Sequence, residues 1–203
     1  MTFLVFYFIF LEISFNHVLK VIIKIDIKDW IMLSIITATF PIINSFRWYK
    51  ILKVMNINIY YMQCLKIIMG INSLNIILPS KSGDFLKFYP LKKYNKSINL
   101  VGSIIFERIL DVIILSVFSI IALIKINQYE LILIPVFIIC IIIASILLLH
   151  LFRNIDIKIS KYIRDFLSIF NILLSKPKEM ISLIALSILN WLTSILLLIF
   201  IFK

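Results

Sequence analysis

Glycine and proline are nearly missing from this chain, with three and five among 203 residues. That scarcity excludes long flexible linkers between separate domains. Cysteine is just as scarce. Cys64 and Cys140 stand alone in apolar surroundings, with neither metal-ligand spacing nor a disulfide framework. His17 and His150 are the two histidines, and both fit interfacial positions better than a proton relay. No histidine cluster, nucleophile–base signature or phosphate-cradling loop is present, so no cofactor and no metal is expected. Strict apolar–polar alternation is missing too, which excludes a transmembrane barrel. What fills the chain is oil. It is 63% hydrophobic, with a mean hydropathy of +1.11. A soluble domain of this length has too little interior to hide that much apolar side chain. The expected fold class is therefore all-α: a polytopic integral membrane bundle, in which lipid forces backbone hydrogen bonds to close within each segment.

The charge is lopsided. Twenty-one Lys and Arg face ten Asp and Glu, for a net charge of +11. In a soluble protein this would raise nucleic acid as a partner. Here the basic residues lie between apolar runs, with no independently folded basic patch. They are better explained by the positive-inside rule and by contact with anionic membrane lipids. Nucleic acid is not an expected partner. The basic clusters at Arg47 to Lys53, Lys81 to Lys96 and Arg153 to Lys178 are expected on the cytoplasmic side of a cell membrane.

Five to six spans in one domain, 1–203, are expected. Thr2 to Leu11 lacks a preceding basic residue and a following cleavage site, which points to a retained first helix. Val18 to Trp30 mixes charge with isoleucine and suits an interfacial stretch. Helices are expected from about Ile31 to Phe46, over Ile98 to Ile124, over Leu131 to Phe152 and over Ile181 to Phe202. Arg47-Trp48-Tyr49-Lys50 looks like an aromatic and basic anchor closing the first of these. Between 154 and 175, apolar Ile159, Ile163, Phe166, Phe170 and Leu173 form a stripe opposite Lys158, Lys161, Arg164 and Asp165. That pattern describes an amphipathic helix on the membrane surface.

One stretch breaks the oil: Asn75-Ile76-Ile77-Leu78-Pro79-Ser80-Lys81-Ser82-Gly83-Asp84-Phe85-Leu86-Lys87. If the flanking basic clusters share a side, the chain must enter and leave there. The apolar piece Ile67 to Leu78 would rise only about 18 Å, short of a ~30 Å hydrocarbon core. A re-entrant hairpin over 62–97, turning near Pro79 to Asp84, follows. The competing reading is an ordinary span from Tyr60 to Leu78. A second charged group, Glu107-Arg108 with Asp111, sits inside the next helix. There Asn99, Ser103, Glu107 and Asp111 recur every four residues and share a face. Charges at membrane depth are costly and mark functional sites by default, although a structural ion pair is an equal contender. Asp84 is either a helix cap before Phe85 or a partner of Arg108. Ser187, Asn190 and Ser194 on the last span are most simply packing contacts.

The ordered set Arg47-Trp48, then Asn75 through Leu-Pro-Ser-Lys-Ser-Gly-Asp to Asp84 and Lys87, then Glu107-Arg108 and Asp111, resembles the lysylphosphatidylglycerol synthase transmembrane family. These are flippase-like membrane domains related to the membrane half of the multiple peptide resistance factor. Lys87 stands where the family commonly has arginine. Family members usually continue to a Pro-Gly-Gly-x-Gly-x-x-Glu segment, and nothing after Trp191 matches it. The resemblance thus implies a C-terminally shortened member, for which a partner chain would supply the remaining helices. It implies nothing about aminoacyl transfer.

Three functions are weighed. In the first, a charged groove handles or translocates an anionic lipid or a polyprenyl-phosphate headgroup. Arg108, Lys81 and Lys87 would meet phosphate, poised by Asp84, Glu107 and Asp111. Arg47, Asn75 and Asn190 are secondary candidates. In the second, the chain is a scaffold, partner subunit or inactive fragment. In the third, a membrane enzyme uses Asp84, Glu107 or Asp111 as base, which the missing catalytic signatures count against. The first is preferred.

Overall fold

The computed structural model describes residues 25–77, 79–92, 97–152 and 158–202, with positions 19 and 23; side chains at 76–82, 93–99 and 152–165 are not among those described. The Thr2 to Leu11 helix, His17, and the side chains of Lys81 and Asn99 therefore lie outside the described residues. Those described are mostly helical, with no strand among them. In order they form α1 (Ile27–Val54), α2 (Tyr61–Ile77), a 3-10 segment (Pro79–Leu91) and α3 (Ser97–Lys125). A short 3-10 turn (Tyr129–Ile132), α4 (Leu133–Phe152), α5 (Lys158–Leu174) and α6 (Pro177–Ile201) follow.

α1 is longer than the expected Ile31 to Phe46. The Asp26 carboxylate accepts the Ile27 N–H at 3.1 Å and caps its start. Its end runs through Arg47-Trp48-Tyr49-Lys50 to Val54 because those turns have protein to pack on. Trp48 and Leu52 enter one core with Ile57, Ile59, Cys64, Ile68, Leu91 and Leu100. Ile51 and Val54 enter a second with Phe106, Leu110, Ile169, Phe170, Leu173 and Leu183. The helix stops at Asn56, whose φ of 58° lets the Ile57 N–H reach back to the Leu52 carbonyl at 2.9 Å. The same stop is used at Asn127, also φ 58°, after α3. In a chain so short of glycine, asparagine takes the left-handed position that ends a helix.

Three of the described helical stretches are long and apolar enough to cross a membrane: Ile27–Val54, Tyr129–Leu151 and Pro177–Ile201. α3 has the length, at 29 residues, but carries Glu107, Arg108 and Asp111 together. Large apolar side chains such as Ile35, Phe137, Leu147, Leu151 and Ile199 are exposed on the outer surface. In lipid such a surface costs nothing. Hydroxyls in the spans are satisfied within them: Ser34, Thr37, Thr39, Ser45, Ser145 and Thr193 each donate to the carbonyl four residues earlier.

The two cores lie at one end of the bundle, where α1 finishes and where α3 and α6 begin. Lys176, just before α6, donates to the Val54 carbonyl at 3.3 Å. α2 starts at this end. Near its far end Asn75 bonds Asp84 at 3.0 Å, and the 3-10 segment returns until Leu91 joins Cys64 and Ile68. At 17 residues, α2 rises only about 26 Å. α5 also lies at this end. The later part of its apolar stripe, Phe170 and Leu173 with Ile169, is buried in the second core rather than turned outward. Gly102 of α3 permits that approach, since a Cβ there would run into the Ile169 side chain.

Candidate functional site

Arg47 sits seven residues before the end of α1, about 10 Å into the bundle. Its guanidinium is 1% exposed and saturated. Glu107 accepts from Nε at 3.2 Å and from Nη2 at 2.7 Å. Asp111 accepts from Nη1 at 2.5 Å and from Nη2 at 3.2 Å. Ser187 Oγ takes Nη1 at 2.9 Å and Asn44 Oδ1 takes Nη2 at 3.2 Å. The spacing of four in α3 is what lets two carboxylates grip one fork. Arg47 is thus the hub tying α1, α3 and α6 together, and not an interfacial anchor.

Lys87 is fully buried. Its ammonium meets Glu107 Oε2 at 2.9 Å and lies 5.8 Å from the centroid of the Trp48 ring. Neither Lys87 nor Glu107 lines the neighbouring cavity. Lys87, expected to meet a headgroup phosphate, is placed instead against Glu107, deep in the wall and away from the cavity lining.

Arg108 is different. Its side chain is one-third exposed, and all three of its ion-pair contacts run through Nη2: Asp84 at 3.3 Å, Asp111 at 3.3 Å and Glu107 at 3.8 Å. Its Nε is buried and finds no hydrogen-bond partner among the described residues. Asp84 does not cap a helix at Phe85; it lies within the 3-10 segment and accepts from Asn75 Nδ2. Asp111 also receives Trp191 Nε1 at 3.3 Å. Arg47, Lys87 and Arg108 thus face Asp84, Glu107 and Asp111, three cations against three carboxylates.

Beside this cluster opens a cavity of about 590 Å³. Arg47, Asn75, Asp84, Arg108, Asp111 and Asn190 line its charged end. From there it follows α1 and α6 past Asn44, Pro41, Phe40, Thr193 and Ser194 to Ile36 and Leu197. That path spans about 16 Å along α1, and it grades from ionic through hydroxyl to apolar. Pro41 has no N–H to offer the Thr37 carbonyl, and both residues line the wall. Asn75 Oδ1 and Asn190 Oδ1 are buried without a hydrogen-bond partner among the described residues. Such atoms are rare in a finished interior.

Of the residues singled out in the sequence, Asp84, Arg108 and Asp111, with the secondary candidates Arg47, Asn75 and Asn190, line this cavity, although Asn190 was read most simply as a packing contact. The sequence reading gave Ser187 a packing role, whereas Ser187 holds Arg47, and it passed over Asn44, Asn72, Ser73 and Thr37. Asn44 had a signal: it stands three residues before Arg47, on the same helix face.

A family model described as the lysylphosphatidylglycerol synthase TM region matches residues 1–203. The chain belongs to that family. No curated protein and no solved structure matches it. Membership in the lysylphosphatidylglycerol synthase TM region makes this a membrane protein, in keeping with its three long apolar helices. The residues on which the resemblance was drawn, Arg47, Asp84, Lys87, Glu107, Arg108 and Asp111, are here one connected ion cluster.

Proposed function

We propose that this cavity holds the headgroup of an anionic lipid, a phospholipid or a polyprenyl phosphate, and passes it between leaflets in the manner of a flippase. One observation carries the reading. Arg108 stands at the ionic end of an amphiphilic cavity with an unpartnered Nε, while the neighbouring cations are committed to the wall. A phosphate can take Arg108 at modest cost to the rest. Asp84 keeps Asn75, and Asp111 keeps Arg47 and Trp191. The chain or chains of the lipid would follow the graded wall toward Ile36 and Leu197.

The setting we propose is a cell membrane with the basic end of the bundle cytoplasmic. α2 and the 3-10 segment would then be a re-entrant hairpin, with their polar tip surrounded by protein and water, as irregular backbone at membrane depth requires.

The test is reconstitution into liposomes containing nitrobenzoxadiazole-labelled phosphatidylglycerol, with dithionite quenching of the outer leaflet. Wild-type chain is expected to bring inner-leaflet label to the outside faster than protein-free liposomes, and Arg108→Gln to abolish the gain. Equal rates for wild type and Arg108→Gln would remove the proposed site. A second reading has its own support. The saturation of Arg47 and the burial of Lys87 suit a brace that fixes three helices in a scaffold or partner subunit. Rates equal to protein-free liposomes would favour that reading.

A further inference from the structure

A second cavity, of about 440 Å³, lies at the basic end of the bundle between the last two turns of α1 and the first turn of α6. It is lined by Phe46, Tyr49, Lys50, Lys53, Lys176 and Glu179, with Val54. Three ammonium groups thus share a hollow with one carboxylate. None of the three has a carboxylate within 4.0 Å among the described residues, so the lysines are not neutralised where they stand. Two are nonetheless held in place. Lys50 Nζ donates to Ser182 Oγ at 2.5 Å and sits 5.4 Å from the Phe46 ring centroid. Lys176 Nζ donates to the Val54 carbonyl at 3.3 Å. Each ammonium keeps further N–H donors, since it carries three. Lys53 is exposed.

The surroundings are those of a membrane interface. Phe46, Tyr49 and Tyr61 form an aromatic cluster with ring centroids 6.1 to 6.4 Å apart. Aromatic rings with lysines at the end of a span mark headgroup depth. The charged cavity around Arg108 shares no lining residue with this hollow.

We propose that this hollow is a separate phosphate-binding site, built to take the phosphate of an anionic lipid of the adjacent leaflet or a free phosphate of the same charge. Lys50, Lys53 and Lys176 surround the phosphate oxygens. Phe46 and Tyr49 give the uncharged remainder of a lipid headgroup a surface to lie on.

The experiment is native mass spectrometry of the purified chain titrated with dioleoyl-phosphatidylglycerol. All measurements are made in the Arg108→Gln background, so that the first cavity does not contribute. The parent is expected to keep one lipid per chain. Lys53→Gln/Lys176→Gln is expected to bind about twenty-five-fold more weakly, two lysines at about fivefold each. Lys53→Arg/Lys176→Arg should restore binding. A charge-matched control, Lys92→Gln/Lys125→Gln, should bind like the parent. Unaltered thermal melting of each variant shows that the fold is kept. Displacement of the lipid by millimolar inorganic phosphate would show that phosphate alone suffices; retention would assign the site to lipid. No lipid kept by the parent, equal binding by Lys53→Gln/Lys176→Gln, or equal loss in the control would overturn the proposal.

Discussion

Two arginines one helix apart have opposite duties, and substitution should separate them. Arg47 is buried and holds two carboxylates. Arg47→Ala would leave three buried carboxylates to two cations, Lys87 and Arg108, at roughly 3–5 kcal/mol. The expected result is a large fall in the thermal midpoint in detergent. Arg47→Lys should recover little of it, because one ammonium cannot supply the planar fork that both carboxylates grip. Arg108→Gln removes a partly exposed cation bound through a single nitrogen. It should cost less, about 1–2 kcal/mol, since Asp84 keeps Asn75 and Asp111 keeps Arg47, while removing lipid movement. A melting loss as large for Arg108→Gln as for Arg47→Ala would contradict this division. The sequence made the charges visible, because any ion in such oil stands out. It did not reveal their ranking. Arg47 precedes Trp-Tyr-Lys, which has the composition of an interfacial anchor, and only the packing of Trp48, Ile51 and Leu52 shows that the helix continues. Lys87 was equally opaque, since burial depends on a fold-back that local sequence does not encode.

At the scale of elements, helix ends and close approaches carry the fold. Asn56 holds a positive φ that a β-carbon without a polar partner tolerates poorly. Asn56→Ala should destabilise by about 1 kcal/mol and Asn56→Gly should be near neutral, as read from thermal melting. Gly102→Val would force Ile169 away from α3 and should cost about 1–3 kcal/mol. Equal melting of Gly102→Val and wild type would show that α5 does not depend on this contact. Here the sequence spoke partially. The stripe from Ile159 to Leu173 was plain, because apolar residues at helical spacing must be covered by something. Whether lipid or protein covers them is not written in the periodicity. For Phe166 and Ile169 the answer came from Gly102, a small residue on another helix more than sixty positions away.

At the scale of the whole molecule, the chain gathers the end of α1 and the starts of α3 and α6 at one end, and places the Lys125 to Ile132 connection at the other. With Cys140 replaced and Cys64 buried, Lys53→Cys and Lys176→Cys should react with an impermeant maleimide from one face of the membrane and Gln128→Cys from the opposite face. Labelling of all three from one face would refute this arrangement. The balance of the buried cluster has an electrical consequence. Three cations and three carboxylates sum to zero, so an empty site is silent in the membrane field. One bound phosphodiester leaves it with a net negative charge, and a full elementary charge crossing 100 mV exchanges about 2.3 kcal/mol with the field. On the translocation proposed above, only the loaded cluster would then carry charge through the field, and the membrane voltage would bias the direction of the loaded step.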